Sequence, residues 1–98
     1  MPKAKKLSPI HPGRLLAEDL QDLGVSISHA ARALRVPVNR ITEIVSGKRG
    51  ITADTALRLA RYFGTSAQYW LNLQTRYDLQ VAQDAAGERI EREVLPAA

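Results

Sequence analysis

Asn39, Arg40, Thr42 and Glu43 lie close together in the chain, and Lys48 and Arg49 follow soon after. Each of these side chains has a natural counterpart on a nucleic acid. Asn pairs with adenine N6/N7 and Arg with guanine O6/N7, both through two hydrogen bonds. Thr meets a thymine methyl, and Glu accepts from cytosine N4. Glu43 has two other readings: it repels phosphates, or it orients Arg40, its neighbour three positions back. Lys48 and Arg49 stand between Gly47 and Gly50, on a loop that can approach a phosphate backbone closely.

For this chemistry to work, the residues must share one face of a rigid element. At ~100° per residue, Ile41, Ile44 and Val45 fall on one side of a helix. Asn39, Glu43 and Ser46 fall opposite, with Arg40 and Thr42 on the flanks. Just upstream, Ser26 suits the cap of another helix whose Ile27, Ala30, Ala31 and Leu34 face inward. Arg35-Val36 forms a turn between the two helices, Pro37 opens the second and Gly47 ends it. Two short helices joined this tightly place one of them in the major groove of DNA. Asn39, Arg40, Thr42 and Glu43 are therefore the expected base contacts. The expected phosphate contacts are Ser28 and His29 beside the free N–H groups of their helix, with Arg35, Ser46, Lys48 and Arg49. The blander readings are a plain exposed histidine for His29, which is the favoured one there, an ordinary solvated surface for the polar face, and solvated cations for Arg58 and Arg61.

Three further helices frame this unit. Pro12 opens the first, Leu15, Leu16, Leu20 and Leu23 recur at helical spacing, and Gly24 stops it, with Glu18, Asp19 and Asp22 outside. Thr52 caps a fourth helix with Ala56, Leu57, Leu59, Ala60 and Phe63 inward, closed by Gly64. Thr65 or Ser66 caps a fifth, carrying Trp70, Leu71, Leu73 and Tyr77. With no strand pattern the chain is all-α. The expected division is a flexible basic arm over residues 1–8, a helix-turn-helix domain over 9–83, and a C-terminal extension over 84–98, read either as a short helix or as a frayed tail. The apolar surplus on the fifth helix makes Leu73, Tyr77 and Val81 candidates for a homodimer interface, with Trp70 mainly in the core.

Composition narrows the alternatives. Ninety-eight residues with 14 Lys and Arg against 10 Asp and Glu give a net charge of +4, which favours a polyanionic partner. With no cysteine, disulfides and thiolate metal sites are excluded, and a reducing cytoplasm suits the chain. No apolar run approaches the ~20 residues that span a bilayer, and no hydrophobic stretch behind the basic N-terminus forms a secretory signal. His11 and His29 are not at metal-ligand spacing, and no nucleophile, phosphate loop or buried carboxylate pair is present. The expectation is a binding protein without metal or cofactor rather than an enzyme.

Several runs carry a resemblance: His11-Pro12-Gly13, Leu23-Gly24, Asn39-Arg40-Ile41, Gly47-Lys48-Arg49, Ile51-Thr52, Asp54-Thr55-Ala56-Leu57-Arg58-Leu59, Phe63-Gly64-Thr65-Ser66 and Tyr69-Trp70-Leu71-Asn72-Leu73-Gln74. Over roughly residues 9–83 the chain resembles the HigA antitoxins of the Xre/Cro-like helix-turn-helix group. The resemblance implies a five-helix, Xre/lambda-repressor-like domain that acts as a homodimer on a palindromic operator in double-stranded DNA. It also implies autorepression and a small mRNA-cleaving toxin partner of the HigB, RelE-like type. A stand-alone Xre-family regulator without a toxin is the alternative. A helical protein-interaction module that has lost DNA binding is a third reading, against which Asn39, Arg40, Lys48 and Arg49 argue.

Overall fold

The computed structural model describes residues 8–97; most of the basic arm expected over residues 1–8 lies outside them. The described chain forms five helices: α1 (Pro12–Leu23), α2 (Ile27–Leu34), α3 (Val38–Val45), α4 (Ala53–Phe63) and α5 (Ala67–Glu93). Local chemistry sets most of their ends. The side-chain oxygens of Ser26, Thr52 and Ser66 accept from the N–H groups of His29, Thr55 and Tyr69, each satisfying a donor that the helix start leaves free. Gly24 and Gly64 close α1 and α4 in the left-handed conformation, at φ 68° and 73°, where a Cβ would be strained.

The core is aliphatic with one large aromatic. Leu16, Leu20, Ala30, Ala31, Leu34, Ile41, Ile44, Ile51, Ala56, Leu59 and Trp70 are buried together. Ala30 and Ala31 let α2 lie close to its neighbours, and α3 packs on both α1 and α2 through Ile41 and Ile44. Trp70 is fully buried, and its indole N–H donates to Thr65 Oγ1 at 3.0 Å, so the ring enters the core with its polar atom satisfied.

Two inward assignments fail. Leu57 is 64% exposed and Leu23 also lies on the surface. On α4 the packed stripe runs through Thr55, Ala56 and Leu59, and Leu57 falls between its rows. Residues 84–93 are helical, continuous with α5 and without a break at Gly87. Apolar periodicity fades there, but side-chain pairs four residues apart run along the helix: Gln68–Asn72, Gln74–Asp78, Gln80–Asp84 and Arg89–Glu93. Such pairs each support a helix by a few tenths of a kcal/mol. Among the described residues, no helix is long and apolar enough to cross a membrane.

Candidate nucleic-acid interface

The unit formed by α2 and α3 is held from behind. Arg35, between them, takes the left-handed conformation at φ 60°, which disfavours a residue with a Cβ by ~1–2 kcal/mol. Arg58 on α4 supports the turn: its Nη1 donates to the carbonyls of Leu34 at 3.0 Å and Arg35 at 3.4 Å. The same guanidinium meets Asp54, with Nε to Oδ2 at 2.9 Å. Asp54 in turn accepts from Arg40 Nη1 at 3.1 Å. One carboxylate therefore joins the start of α4 to α3 and to the clamp on the turn. Its hydrogen bond with Arg58, together with the charges of Arg58 and Arg40, holds the Asp54 carboxyl below the usual carboxylate range. Sequence spacing offered a signal for this, since Asp54 and Arg58 stand four apart on one helix. Arg58 is thus a structural clamp rather than a solvated cation.

Outward from this frame, α3 presents a polar face. Asn39 is exposed, with no side-chain hydrogen bond among the described residues, while Arg40 is half-buried and turned towards Asp54. Thr42 and Ser46 donate their hydroxyl protons to their own helix, at the carbonyls of Val38 and Glu43, both at 3.1 Å; their oxygens remain available as acceptors. Glu43 does not orient Arg40. It binds Arg49 instead, which approaches Oε2 through Nη2 at 2.6 Å and Nε at 2.7 Å. The chain reverses at Gly47 (φ 80°) and the N–H groups of Lys48 and Arg49 donate to the Glu43 carbonyl, which carries Arg49 back over the Glu43 side chain.

The loop after α3 is fixed at its far end by α5. Gln74 Oε1 accepts from Ile51 N–H at 2.8 Å, and a Cβ on Gly50 would stand 3.1 Å from the Gln74 amide. Between these fixed ends Lys48 is exposed and has no ion pair among the described residues. Ser28, His29 and Arg35 are also exposed along α2 and the turn. Ser26 uses its oxygen on the His29 N–H at 3.1 Å, which leaves the first N–H groups of α2 pointing outward. The acidic residues of α1 lie on a separate helix. There burial, then the charges of Asp22 and Glu18, push the Asp19 carboxyl up.

The residues expected at a dimer surface occupy different environments. Leu73 packs partly against the core of its own chain. Tyr77 is half-buried and meets the His11 ring edge-on, with centroids 4.9 Å apart. Val81 is 41% exposed; Leu79 and Ile90 are exposed too, but at ~100° per residue they fall on the opposite side of α5.

A helix-turn-helix family model matches residues 16–70, the segment from α1 to the start of α5. Virulence-associated protein I of Dichelobacter nodosus is 55% identical over 85 residues, covering 85% of this chain and 79% of its own. An addiction module antidote protein of a HigA family from Coxiella burnetii superposes with a TM-score of 0.90 at 52% identity, covering 92% of this chain and 99% of its own. Pseudomonas aeruginosa antitoxin HigA, in a structure with the higBA promoter, gives a TM-score of 0.88 at 47% identity over 92% of this chain and 99% of its own.

Proposed function

The chain belongs to the helix-turn-helix family and, within it, to the HigA group, and on that premise we propose that it is a DNA-binding antitoxin that represses its own operon. The observation that carries this reading is the outward face of α3. Ile41 and Ile44 anchor the helix from behind, while Asn39 stands free at its start and Lys48 stands free just beyond its end. A helix held this way enters a major groove with its ends near the phosphates.

In this reading Asn39, Arg40, Thr42 and Glu43 face base edges. Ser28, His29, Arg35, Ser46, Lys48 and Arg49 face phosphates. Three of these residues, Arg40, Glu43 and Arg49, are already held in ion pairs. Arg40 leaves or shares Asp54 when it reaches a guanine, and a phosphate competes with Glu43 for Arg49. Ion pairs at partly exposed positions are worth about 0–1 kcal/mol, so a bidentate base or phosphate contact outweighs them.

The protein acts as a homodimer, because a palindromic site spaced by one helical turn needs two recognition helices and one chain offers one. On α5, exposed Val81 supports that surface better than Leu73 does, because Leu73 is partly spent on the core of its own chain. The toxin it neutralises is a small HigB or RelE-like mRNA-cleaving protein, a reading supported by the relation to HigA antitoxins.

Two measurements test the proposal. Duplexes tiling the DNA upstream of its own reading frame should include one bound tightly, with affinity falling steeply with salt by a slope of ~0.9 per phosphate neutralised. Co-expression with the neighbouring small reading frame should yield a stable complex and relieve that protein's toxicity. Salt-independent binding contradicts the phosphate contacts, and absence of a toxic neighbour contradicts the antitoxin assignment.

A further inference from the structure

His11 stands where three elements meet. Its Nδ1 accepts from Gly13 N–H at 2.9 Å and so caps α1. Its ring meets Tyr77 of α5 edge-on. A Cβ on Gly47, just past the end of α3, would come 3.9 Å from its Cγ. Directly below the cap, Gly13 lies so close to α3 that an added Cβ would fall 1.7 Å from the Ile44 carbonyl oxygen. The first turn of α1 therefore forms the seat on which the C-terminal end of α3 rests, and His11 holds that turn in place.

An imidazole can accept at Nδ1 only while that nitrogen is unprotonated, so the proton of the neutral ring is on Nε2. Protonation at Nδ1 turns the acceptor into a donor facing Gly13 N–H and sets a positive charge against the positive end of the α1 dipole. We infer that His11 is a positioning residue for DNA binding: as neutral imidazole it seats the end of the recognition helix, and protonation loosens that seat. The inference rests on the DNA-binding reading above.

The groups around the ring fix the sign. From α5, Asp78 acts on it through its charge and favours the imidazolium, although Asp78 also accepts from Gln74 Nε2 at 2.9 Å, and Tyr77 meets it edge-on. In the first turn of α1 the charged residue is Arg14, which pairs with Glu18 at 3.6 Å. From the α3 end the facing atoms are backbone, at Ile44 and Gly47, and Lys48 beyond them is exposed. Burial outweighs Asp78, and the ring is held below its ordinary value, near 6.5. The folded chain thus prefers the neutral ring. This contribution is fully present above about pH 6.5 and is lost as pH falls through the lowered value.

The Tyr69-Trp70-Leu71-Asn72-Leu73-Gln74 run enters the same arrangement. Gln74 joins Ile51 N–H, at the end of the Lys48–Arg49 loop, to Asp78, the carboxylate acting on His11. The His-Pro-Gly run and this α5 run thereby both border the loop after α3, at Gly47 and at Gly50 and Ile51.

The test uses the full chain with His29→Asn as background, which leaves His11 as its one histidine. Affinity for the tightest duplex from the upstream tiling is measured by fluorescence anisotropy at constant salt, with helicity checked at each pH. In that background it should fall roughly fivefold between about pH 7.5 and pH 5.5, the scale of losing an N-cap. Adding His11→Asn, which caps without titrating in this range, should flatten the profile. A parallel NMR titration of the His11 ring should give a value below the ordinary histidine range. Equal pH dependence with and without His11→Asn, or a raised His11 value, overturns the inference. If no duplex binds at about pH 7.5, the DNA-binding reading fails instead, and the NMR titration still decides the state of His11.

Discussion

Replacing Gly13 by alanine tests the junction of α1 and α3 directly. The new Cβ would lie 1.7 Å from the Ile44 carbonyl oxygen and 2.6 Å from its carbon. Non-bonded heavy atoms settle near 3.5 Å, so the two helices must part by roughly 1.5–2 Å. The obstacle is backbone within α3, which cannot rotate away as a side chain would. Overpacking of a core costs about 1–3 kcal/mol, and this case belongs at the upper end. At about 4–8 °C per kcal/mol for a domain of this size, Tm should fall by roughly 12–24 °C. Gly87→Ala provides the control. Its Cβ would meet only the Gln83 Cβ at 3.8 Å, an ordinary contact inside α5, and relief of the helical glycine should stabilise by about 0.5–1 kcal/mol. Thermal melts followed by circular dichroism read both variants. Below the lowered Tm, Gly13→Ala should also bind its upstream DNA more weakly, because the end of α3 is displaced. A Gly13→Ala protein that melts with the wild type would refute the close approach, and with it the seating of α3 on α1.

Other perturbations separate the remaining parts of the account. Arg58→Met keeps the stem but removes the donors to Leu34 and Arg35 and the pair with Asp54. With the guanidinium partly exposed, a loss of about 1 kcal/mol is expected, together with weaker DNA binding; unchanged melting and affinity would remove the clamp on the turn. Asp19→Asn should raise Tm at neutral pH, since burial and the charges of Asp22 and Glu18 disfavour the Asp19 carboxylate. The gain should vanish in acid, where Asp19 is protonated folded and unfolded alike, and a fall in Tm at neutral pH would contradict the sign. Val81→Glu should shift sedimentation towards a folded monomer and weaken binding to the full two-fold site, whereas a dimer of wild-type strength would move the interface off this part of α5.

Much of this fold is written locally. The caps at Ser26, Thr52 and Ser66 and the stops at Gly24 and Gly64 depend on one or two residues each, and the sequence shows them directly. The inward stripe of α3 was equally plain, because Ile41 and Ile44 stand apart from polar neighbours. What was hidden depends on which helix lies beside which. Leu57 reads as core by type, yet α4 turns it to solvent. Glu43 has Arg40 as its helical neighbour, yet the reversal at Gly47 brings Arg49 to it instead. Arg58 looks like any surface arginine until the carbonyls of Leu34 and Arg35 are seen within its reach. The continuation of α5 past Gln83 relies on polar pairs four apart rather than on apolar period, so a search for a hydrophobic face passes over it.

The central claim is that α3 reads bases while the loop after it grips the backbone. Asn39→Ala and Lys48→Ala, compared on the preferred duplex and on duplexes altered at single positions, test it most directly. Asn39→Ala should cost about 1–3 kcal/mol on the preferred site and erase discrimination at one or two positions. Lys48→Ala should weaken every duplex about equally and lower the salt slope by about one phosphate. If Lys48 instead governs which sequence is bound, and Asn39 only how tightly any sequence is bound, then α3 does not lie in the groove as described.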